Sequence, residues 1–61
     1  MDLKKLKDIR KMRGFTIEYL AKRVGVNRDT ISDIEKGKAN PTYNNLEAIA
    51  EALEVRIEIL M

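Results

Sequence analysis

Residues 16–38 read TIEYLAKRVGVNRDTISDIEKGK, and this stretch decides the fold. Thr16 is a good helix N-cap, and the apolar residues after it have the spacing of a helix that stops at Gly25. A second helix starts two residues later, with Asn27 as its N-cap, and ends before Gly37. Because glycine permits the positive φ that a tight turn requires, we expect the two helices to meet at a corner of residues 24–26, which we call the elbow.

The second of these helices has one apolar face and one polar face. At about 100° per residue, Ile31 and Ile34 point toward the core. The opposite, outward face carries hydrogen-bonding side chains, with Arg28 on its flank: Asp29, Ser32, Asp33 and Lys36. Such a face suits a helix in a major groove, because base edges there offer donors and acceptors. A solvated helix face has the same composition, so polarity alone does not decide between the two.

Two further helices are predicted on either side of this stretch. The first, over residues 2–13, has apolar side chains at three-residue spacing and stops at Gly14: Leu3, Leu6, Ile9 and Met12. The last, over residues 42–53, comes after Pro41 and has a core stripe of Leu46, Ile49, Ala50 and Leu53. With helices over 17–24 and 28–36, residues 1–61 are expected to form one compact all-α domain of four to five helices.

The tail, residues 55–60, has a different period. Val55, Ile57 and Ile59 alternate with charged residues, which is typical of a half-buried strand. A strand cannot exist alone, and nothing else in the chain resembles a partner for it. We therefore expect the tail to pair with its copy in a second subunit, with Val55, Ile57 and Ile59 at the dimer interface. The alternation favours this strand over a short fifth helix packed on the core.

Composition excludes several classes of protein. The chain has no Cys and no His, which removes disulfides and leaves little basis for a structural zinc site. Without these residues, a glycine-rich phosphate loop or room for a pocket, we expect no enzyme, no cofactor and no small-molecule substrate. No apolar run approaches the roughly 20 residues of a membrane span, so we expect no membrane partner and a cytoplasmic, nucleoid-associated location.

The charges are unevenly distributed. Residues 1–28 hold nine Lys or Arg and three acids, a net of +6, whereas residues 29–61 hold three and seven, a net of −4. A domain with this asymmetry can present its basic end to a polyanion. In a chain of 61 residues the same asymmetry can also arise by chance.

One set of residues between Leu6 and about Leu53 occurs in a known order and without a gap: Ile9, Arg10, Gly14, Phe15, Thr16, Glu18, Leu20, Ala21, Val24, Gly25, Val26, Thr30, Ile31, Ser32, Ile34, Glu35, Gly37, Lys38, Asn40, Pro41, Thr42, Leu46, Ile49, Ala50, Ala52 and Leu53. Through these residues the sequence resembles the lambda-repressor/Cro-like helix-turn-helix family, often called the XRE family. One departure is Ile17, where many members carry a Gln that holds a phosphate or supports a reading residue. Tyr19 also replaces the usual acid or polar residue.

The resemblance implies that the helix over 28–36 enters the major groove of double-stranded DNA. The implied base-reading residues are Arg28, Asp29, Ser32 and Asp33. Arg28 is the first choice, because a guanidinium matches the two acceptors of guanine, whereas Asp33 either accepts from a cytosine amino group or steers Arg28. The implied phosphate contacts are Thr30, Lys36, Lys38, Asn40, Tyr43 and Asn44. The family also pairs an Arg of the first helix with a Glu late in the third, so Arg10 and Glu35 are expected to form a structural ion pair.

The function that the resemblance implies is that of a sequence-specific transcriptional regulator, expected to be a repressor that binds a near-palindromic operator as a homodimer. Two alternatives stay open. Some family members that act as antitoxins end in a dimerising strand, so the tail also fits an antitoxin-type repressor with a toxin as a further partner. Asp29, Asp33 and Ile17 fit a protein-interaction module that has kept the fold and lost DNA binding.

Overall fold

A computed structural model describes residues 4–61, and this part of the chain forms five α-helices and no strand. The helices are α1 (Lys4–Met12), α2 (Ile17–Val24), α3 (Arg28–Glu35), α4 (Tyr43–Leu53) and α5 (Ile57–Leu60). The predicted all-α fold class is confirmed. Residues 2 and 3, with which the first predicted helix begins, lie outside the described residues. None of the helices within residues 4–61 is long and apolar enough to cross a membrane.

Two threonines set the starts of α2 and α4. The side-chain hydroxyl of Thr16 accepts a hydrogen bond from the backbone N–H of Tyr19 at 3.0 Å. The hydroxyl of Thr42 accepts one from the backbone N–H of Asn45 at 3.1 Å. Both threonines have extended backbone angles, so they act as N-caps and the helices begin one residue later. This is why α4 begins at residue 43 and not at 42.

All five helices contribute side chains to one core. α2 packs most extensively on α3 and α4, and α1 packs on α3 and α5. The buried apolar side chains are Leu6, Leu20, Ala21, Ile31, Ile34, Leu46, Ile49, Ala50, Ala52, Leu53 and Leu60. The core therefore holds α3 through its packing against both α2 and α1.

The tail is a helix, so the predicted strand was wrong and the alternative of a short fifth helix is confirmed. Leu60 is fully buried, and Val55 and Ile57 are half-buried against the core. Ile57 and Leu60 are three residues apart, which is the spacing of one helix face. Ile59 belongs to the alternating pattern, yet 44% of it is exposed. The core offers the tail an apolar surface within its own chain, and helical spacing uses that surface.

A buried ion pair joins α1 to α3. Nε of Arg10 donates to Oε2 of Glu35 at 2.7 Å, and Nη2 donates to Oε1 at 3.2 Å. Nη1 of the same guanidinium donates to the backbone carbonyl of Phe15 at 2.7 Å. The side chains of Arg10 and Glu35 are only 8% and 5% exposed. Removing one partner of such a pair typically costs about 3–5 kcal/mol, because the other charge is left buried and unpaired.

Candidate nucleic-acid interface

The elbow between α2 and α3 is closed by backbone hydrogen bonds. Gly25 has a left-handed conformation with φ 91°, and its N–H donates to the carbonyl of Ala21 at 2.8 Å. The N–H of Val26 donates to the same carbonyl at 3.0 Å. A Cβ at Gly25 would meet no atom within 4 Å, so glycine serves the backbone angle there and not a close approach. Ala21 is 2% exposed, and its small side chain lies in the core beneath this corner.

The core contacts of α3 leave its opposite face toward solvent. Ile31 and Ile34 are 0% and 1% exposed, so they anchor the inward face. The predicted base-reading residues divide into two groups. Arg28 and Asp29, in the first turn, are exposed, whereas Ser32 and Asp33 are half-buried. The first turn therefore presents the most accessible polar side chains of the helix.

The chain after α3 folds back over the end of that helix. The N–H groups of Lys38 and Ala39 donate to the carbonyl of Asp33 at 2.8 and 3.3 Å. Gly37, with φ 77°, makes this reversal. The predicted phosphate contacts lie along the continuous segment from the end of α3 to the start of α4, apart from Thr30, which is half-buried in α3. Those in the segment are all exposed: Lys36, Lys38, Asn40, Tyr43 and Asn44.

Two carboxylates lie beside the guanidinium of Arg28. Its Nε is 3.4 Å from Oε2 of Glu18 in α2, and its Nη1 is 3.4 Å from Oδ1 of Asp29. Glu18 was not among the predicted site residues. It precedes Arg28 by ten positions, and the two meet only because the elbow brings the start of α2 to the start of α3. The sequence signals at this position are that Glu18 matches the family pattern and lies in the first turn of α2.

A row of two aromatic rings and one guanidinium runs from Phe15, which precedes α2 and packs against the core, to Arg23 in α2. The rings of Phe15 and Tyr19 have centroids 4.7 Å apart. Nη1 of Arg23 donates to the hydroxyl of Tyr19 at 3.0 Å, and its guanidinium carbon lies 5.8 Å from the tyrosine ring centroid. Ile17, which replaces the family's common Gln, is half-buried and packs against the core. Side chains at the start of α2 thus serve both packing and the polar surface.

The chemistry on this surface is that of hydrogen-bond donors, acceptors and fixed charges. No group of three or more metal-ligating side chains occurs in the part of the chain that the structure describes. A surface with these groups can bind by charge and hydrogen bonding to a polyanion.

Comparison with known proteins gives the family. A family profile described as "Helix-turn-helix" matches residues 6–60. An "Uncharacterized HTH-type transcriptional regulator" of Archaeoglobus fulgidus is 45% identical over 56 residues, covering 92% of this chain and 80% of the relative. The "Immunity repressor protein" of Bacillus phage phi105 is 35% identical over 57 residues, covering 93% of this chain and 40% of the repressor.

A third relative is the "HTH-type transcriptional regulator SinR" of Bacillus subtilis, which is 31% identical over 58 residues. This alignment covers 93% of the chain and 52% of SinR. No solved structure gives a significant match. The chain thus spans most of the archaeal relative and about half or less of the other two. It belongs to the helix-turn-helix family, a DNA-binding, non-enzymatic class of transcription regulators.

Proposed function

We propose that this chain is a sequence-specific repressor that binds a near-palindromic operator as a dimer, with α3 in the major groove. The observation that carries the proposal is the division of α3 into two faces. Ile31 and Ile34 are buried, while Arg28, Asp29 and Lys36 are exposed on the outward side and flank. A cytoplasmic, nucleoid-associated location follows from the proposal, because operator DNA is the ligand.

Arg28 is the base-reading residue with the greatest reach. It stands at the first position of α3 and its side chain is 54% exposed. Ser32 and Asp33 have shorter side chains on a half-buried surface, so they contact bases only where the groove edge comes close to the helix. Asp29, beside Arg28, excludes wrong bases more than it adds affinity, because an acid is repelled by phosphates.

Phosphate contacts are proposed for Thr30, Lys36, Lys38, Asn40, Tyr43 and Asn44. Their support is position, since five of the six are exposed along the segment that leads from α3 into α4. The start of α4 also carries backbone N–H groups that favour an anion. Each phosphate neutralised by a lysine should change the slope of log K against log salt by about −0.9.

Repression is supported by the names of the relatives. The phage phi105 protein is named an immunity repressor, and others are named transcriptional regulators. A small domain bound across an operator blocks access to the DNA beneath it, which requires no further activity of the chain. Repression by occlusion is therefore the simplest regulatory outcome for this fold.

A dimer is supported by size. The longest extent of the domain is 23 Å, whereas successive major grooves lie about 34 Å apart, so one copy reaches one half-site. The exposed apolar side chains of the C-terminal end are Ile59 and Met61, at 44% and 60%. Since the tail is helical, the proposed interface is the exposed side of α5 centred on Ile59. Val55 and Ile57 are half-buried on the core and contribute only their remaining exposed edges.

The antitoxin hypothesis loses the observation that motivated it, because residues 57–60 form a helix and not a dimerising strand. The protein-interaction hypothesis rests on Asp29, Asp33 and Ile17. Ile17 packs against the core, which accounts for an apolar residue at that position without any partner.

Selection of bound fragments from random DNA tests the proposal directly. We expect a two-fold related site with half-sites about 10–10.5 base pairs apart, and binding that weakens steeply with salt. Arg28→Ala should flatten the difference between the selected site and scrambled DNA. Arg56→Ala is the matched control, since it removes an exposed arginine from the tail. If Arg28→Ala lowers affinity for all DNA equally, Arg28 contacts phosphate; if binding is insensitive to salt, the DNA proposal falls.

The interface proposal is tested by Ile59→Asp in analytical ultracentrifugation. Ile59 is 44% exposed, so the variant should fold and sediment as a monomer where the unaltered chain sediments as a dimer. Ile57→Asp is a poorer test, because Ile57 packs on the core. Tyr43→Asp, at an exposed position at the start of α4, is the control and should remain dimeric. An unchanged mass for Ile59→Asp would exclude α5 as the interface.

A further inference from the structure

We infer that Glu18 is a specificity-determining residue that acts through Arg28. Its carboxylate keeps the guanidinium away from phosphates and so directs it toward neutral base edges. The inference rests on the proposed function, in which Arg28 reads a base. Glu18 itself is a positioning residue, since it lies in α2 and reaches Arg28 across the elbow.

The geometry places two carboxylates beside the guanidinium, each next to a different nitrogen. Oε2 of Glu18 lies 3.4 Å from Nε of Arg28, and Oδ1 of Asp29 accepts a long hydrogen bond from Nη1 at 3.4 Å. Nη2 donates no hydrogen bond to any of the described residues. Because a guanidinium has five N–H donors, donors of Arg28 remain for the two acceptors of guanine.

The local charge discriminates between the two kinds of DNA group that an arginine can contact. One guanidinium with two neighbouring carboxylates carries a net charge of −1, so a phosphate that approaches Arg28 is also repelled by Glu18 and Asp29. The N7 and O6 atoms of guanine are acceptors without a formal charge, and their approach meets much less of this repulsion. Glu18 thus disfavours the contact of Arg28 with a phosphate more than its contact with guanine. The ratio of the affinity for the operator to the affinity for other DNA therefore rises.

The exposure of the pair sets the size of the effect. The side chains of Arg28 and Glu18 are 54% and 65% exposed, so solvent and salt screen their attraction. Exposed ion pairs of this kind contribute little to folding, and variants of Glu18 should therefore fold and melt like the unaltered chain. The effect on DNA discrimination should be about two- to fivefold, which lies within the range that such pairs span.

The test compares Glu18→Gln with Glu51→Gln, which removes the same charge from an exposed position of α4 far along the chain from the elbow. Dissociation constants are measured for the selected site and for scrambled DNA over a series of salt concentrations. Glu18→Gln should bind scrambled DNA more tightly, so the ratio of the dissociation constants for scrambled DNA and the selected site should fall by about two- to fivefold. The slope of log K against log salt for scrambled DNA should steepen by about 0.9, because Arg28 gains a phosphate contact. Glu51→Gln should leave the ratio unchanged.

A second substitution shows whether the effect passes through Arg28. In an Arg28→Ala background, Glu18→Gln should change neither the ratio of the two dissociation constants nor the slope of log K against log salt. Glu18→Asp keeps the charge and should retain most of the discrimination. The inference is overturned if Glu18→Gln matches Glu51→Gln, or if its effect persists without Arg28. If the unaltered chain does not distinguish the selected site from scrambled DNA, the proposed function itself fails, and the two failures are thereby separated.

Discussion

The corner after α2 and the corner after α4 have nearly the same backbone but very different sequences. Each helix ends at a residue in the left-handed region, Gly25 with φ 91° after α2 and Glu54 with φ 60° after α4. In each corner the next residue also donates its N–H back into the helix: Val26 to the carbonyl of Ala21 and Val55 to that of Ala50, both at 3.0 Å. A left-handed helix end therefore forms here with or without glycine.

The difference lies in the interactions that stabilise each corner. Glycine adopts the left-handed conformation freely, whereas for other residues it costs about 1–2 kcal/mol. Glu54 is held in that conformation by the packing of the tail, since Val55, Ile57 and Leu60 all lie against the core. Nη2 of Arg13 also donates to the carbonyl of Glu54 at 3.4 Å. The elbow is thus set by local preference and the tail corner by tertiary packing.

Leu60→Ala should destabilise the tail corner, with the largest effect of the substitutions at the two corners. Leu60 is 0% exposed and is the buried residue of α5, so truncation removes the packing that holds Glu54 in place. We expect a loss of about 2–5 kcal/mol in the free energy of unfolding, measured by urea denaturation. Ile59→Ala, at a 44% exposed position in the same helix, is the control and should cost far less. Equal losses for the two variants would show that α5 is not anchored through Leu60.

Gly25→Ala should weaken the elbow by a smaller amount. No atom lies within 4 Å of the added Cβ, so the cost is the left-handed angle alone, partly offset by the lower entropy of the unfolded chain. We expect a net loss of about 1 kcal/mol in thermal or urea unfolding. Because the elbow positions α3, affinity for the selected DNA should fall as well. A stability gain would mean that the elbow does not require a left-handed residue.

Glu54→Gly should have the smallest effect and the opposite sign. It removes the cost of the left-handed angle but adds the backbone entropy of glycine, for a net gain of about 0.5–1 kcal/mol in unfolding free energy. Glu51→Gly, three residues earlier inside α4, is the matched control and should instead lose about 1 kcal/mol. If both glycine variants are destabilised equally, the corner at Glu54 carries no strain.

The predictable part of the fold is the part with local signals. Thr16 and Gly25 mark the ends of α2, and the apolar spacing marks the inward faces of α2 and α3. Asn27 stands at the N-cap position of α3 but makes no side-chain capping hydrogen bond, and α3 ends at Glu35, one residue before the predicted end. The tail has no such signal, because a glutamate occupies its left-handed corner. Its alternating pattern favours a strand, and the apolar surface supplied by α1 and α4 selects the helix instead.

The candidate site also has one part that the sequence predicts and another that only the tertiary structure gives. Arg28 and Lys36 can be assigned to the outward surface from helical periodicity, and both are exposed. The contact between Glu18 and Arg28 depends on how sharply the elbow folds, which spacing along the chain does not encode. The half-burial of Asp33 accompanies the reversal that brings Lys38 back to its carbonyl. Contacts between elements require the tertiary structure even where each element is predictable.

Arg10 holds the end of α3 through buried contacts that do not involve the exposed residues of that helix. One guanidinium ties α1, the carbonyl of Phe15 and Glu35 together from inside the domain, on the side away from the exposed first turn. Substitutions among the surface residues of α3 leave these contacts of Arg10 intact. The residues on the exposed surface of α3 can consequently change while the buried contacts that position the helix stay the same.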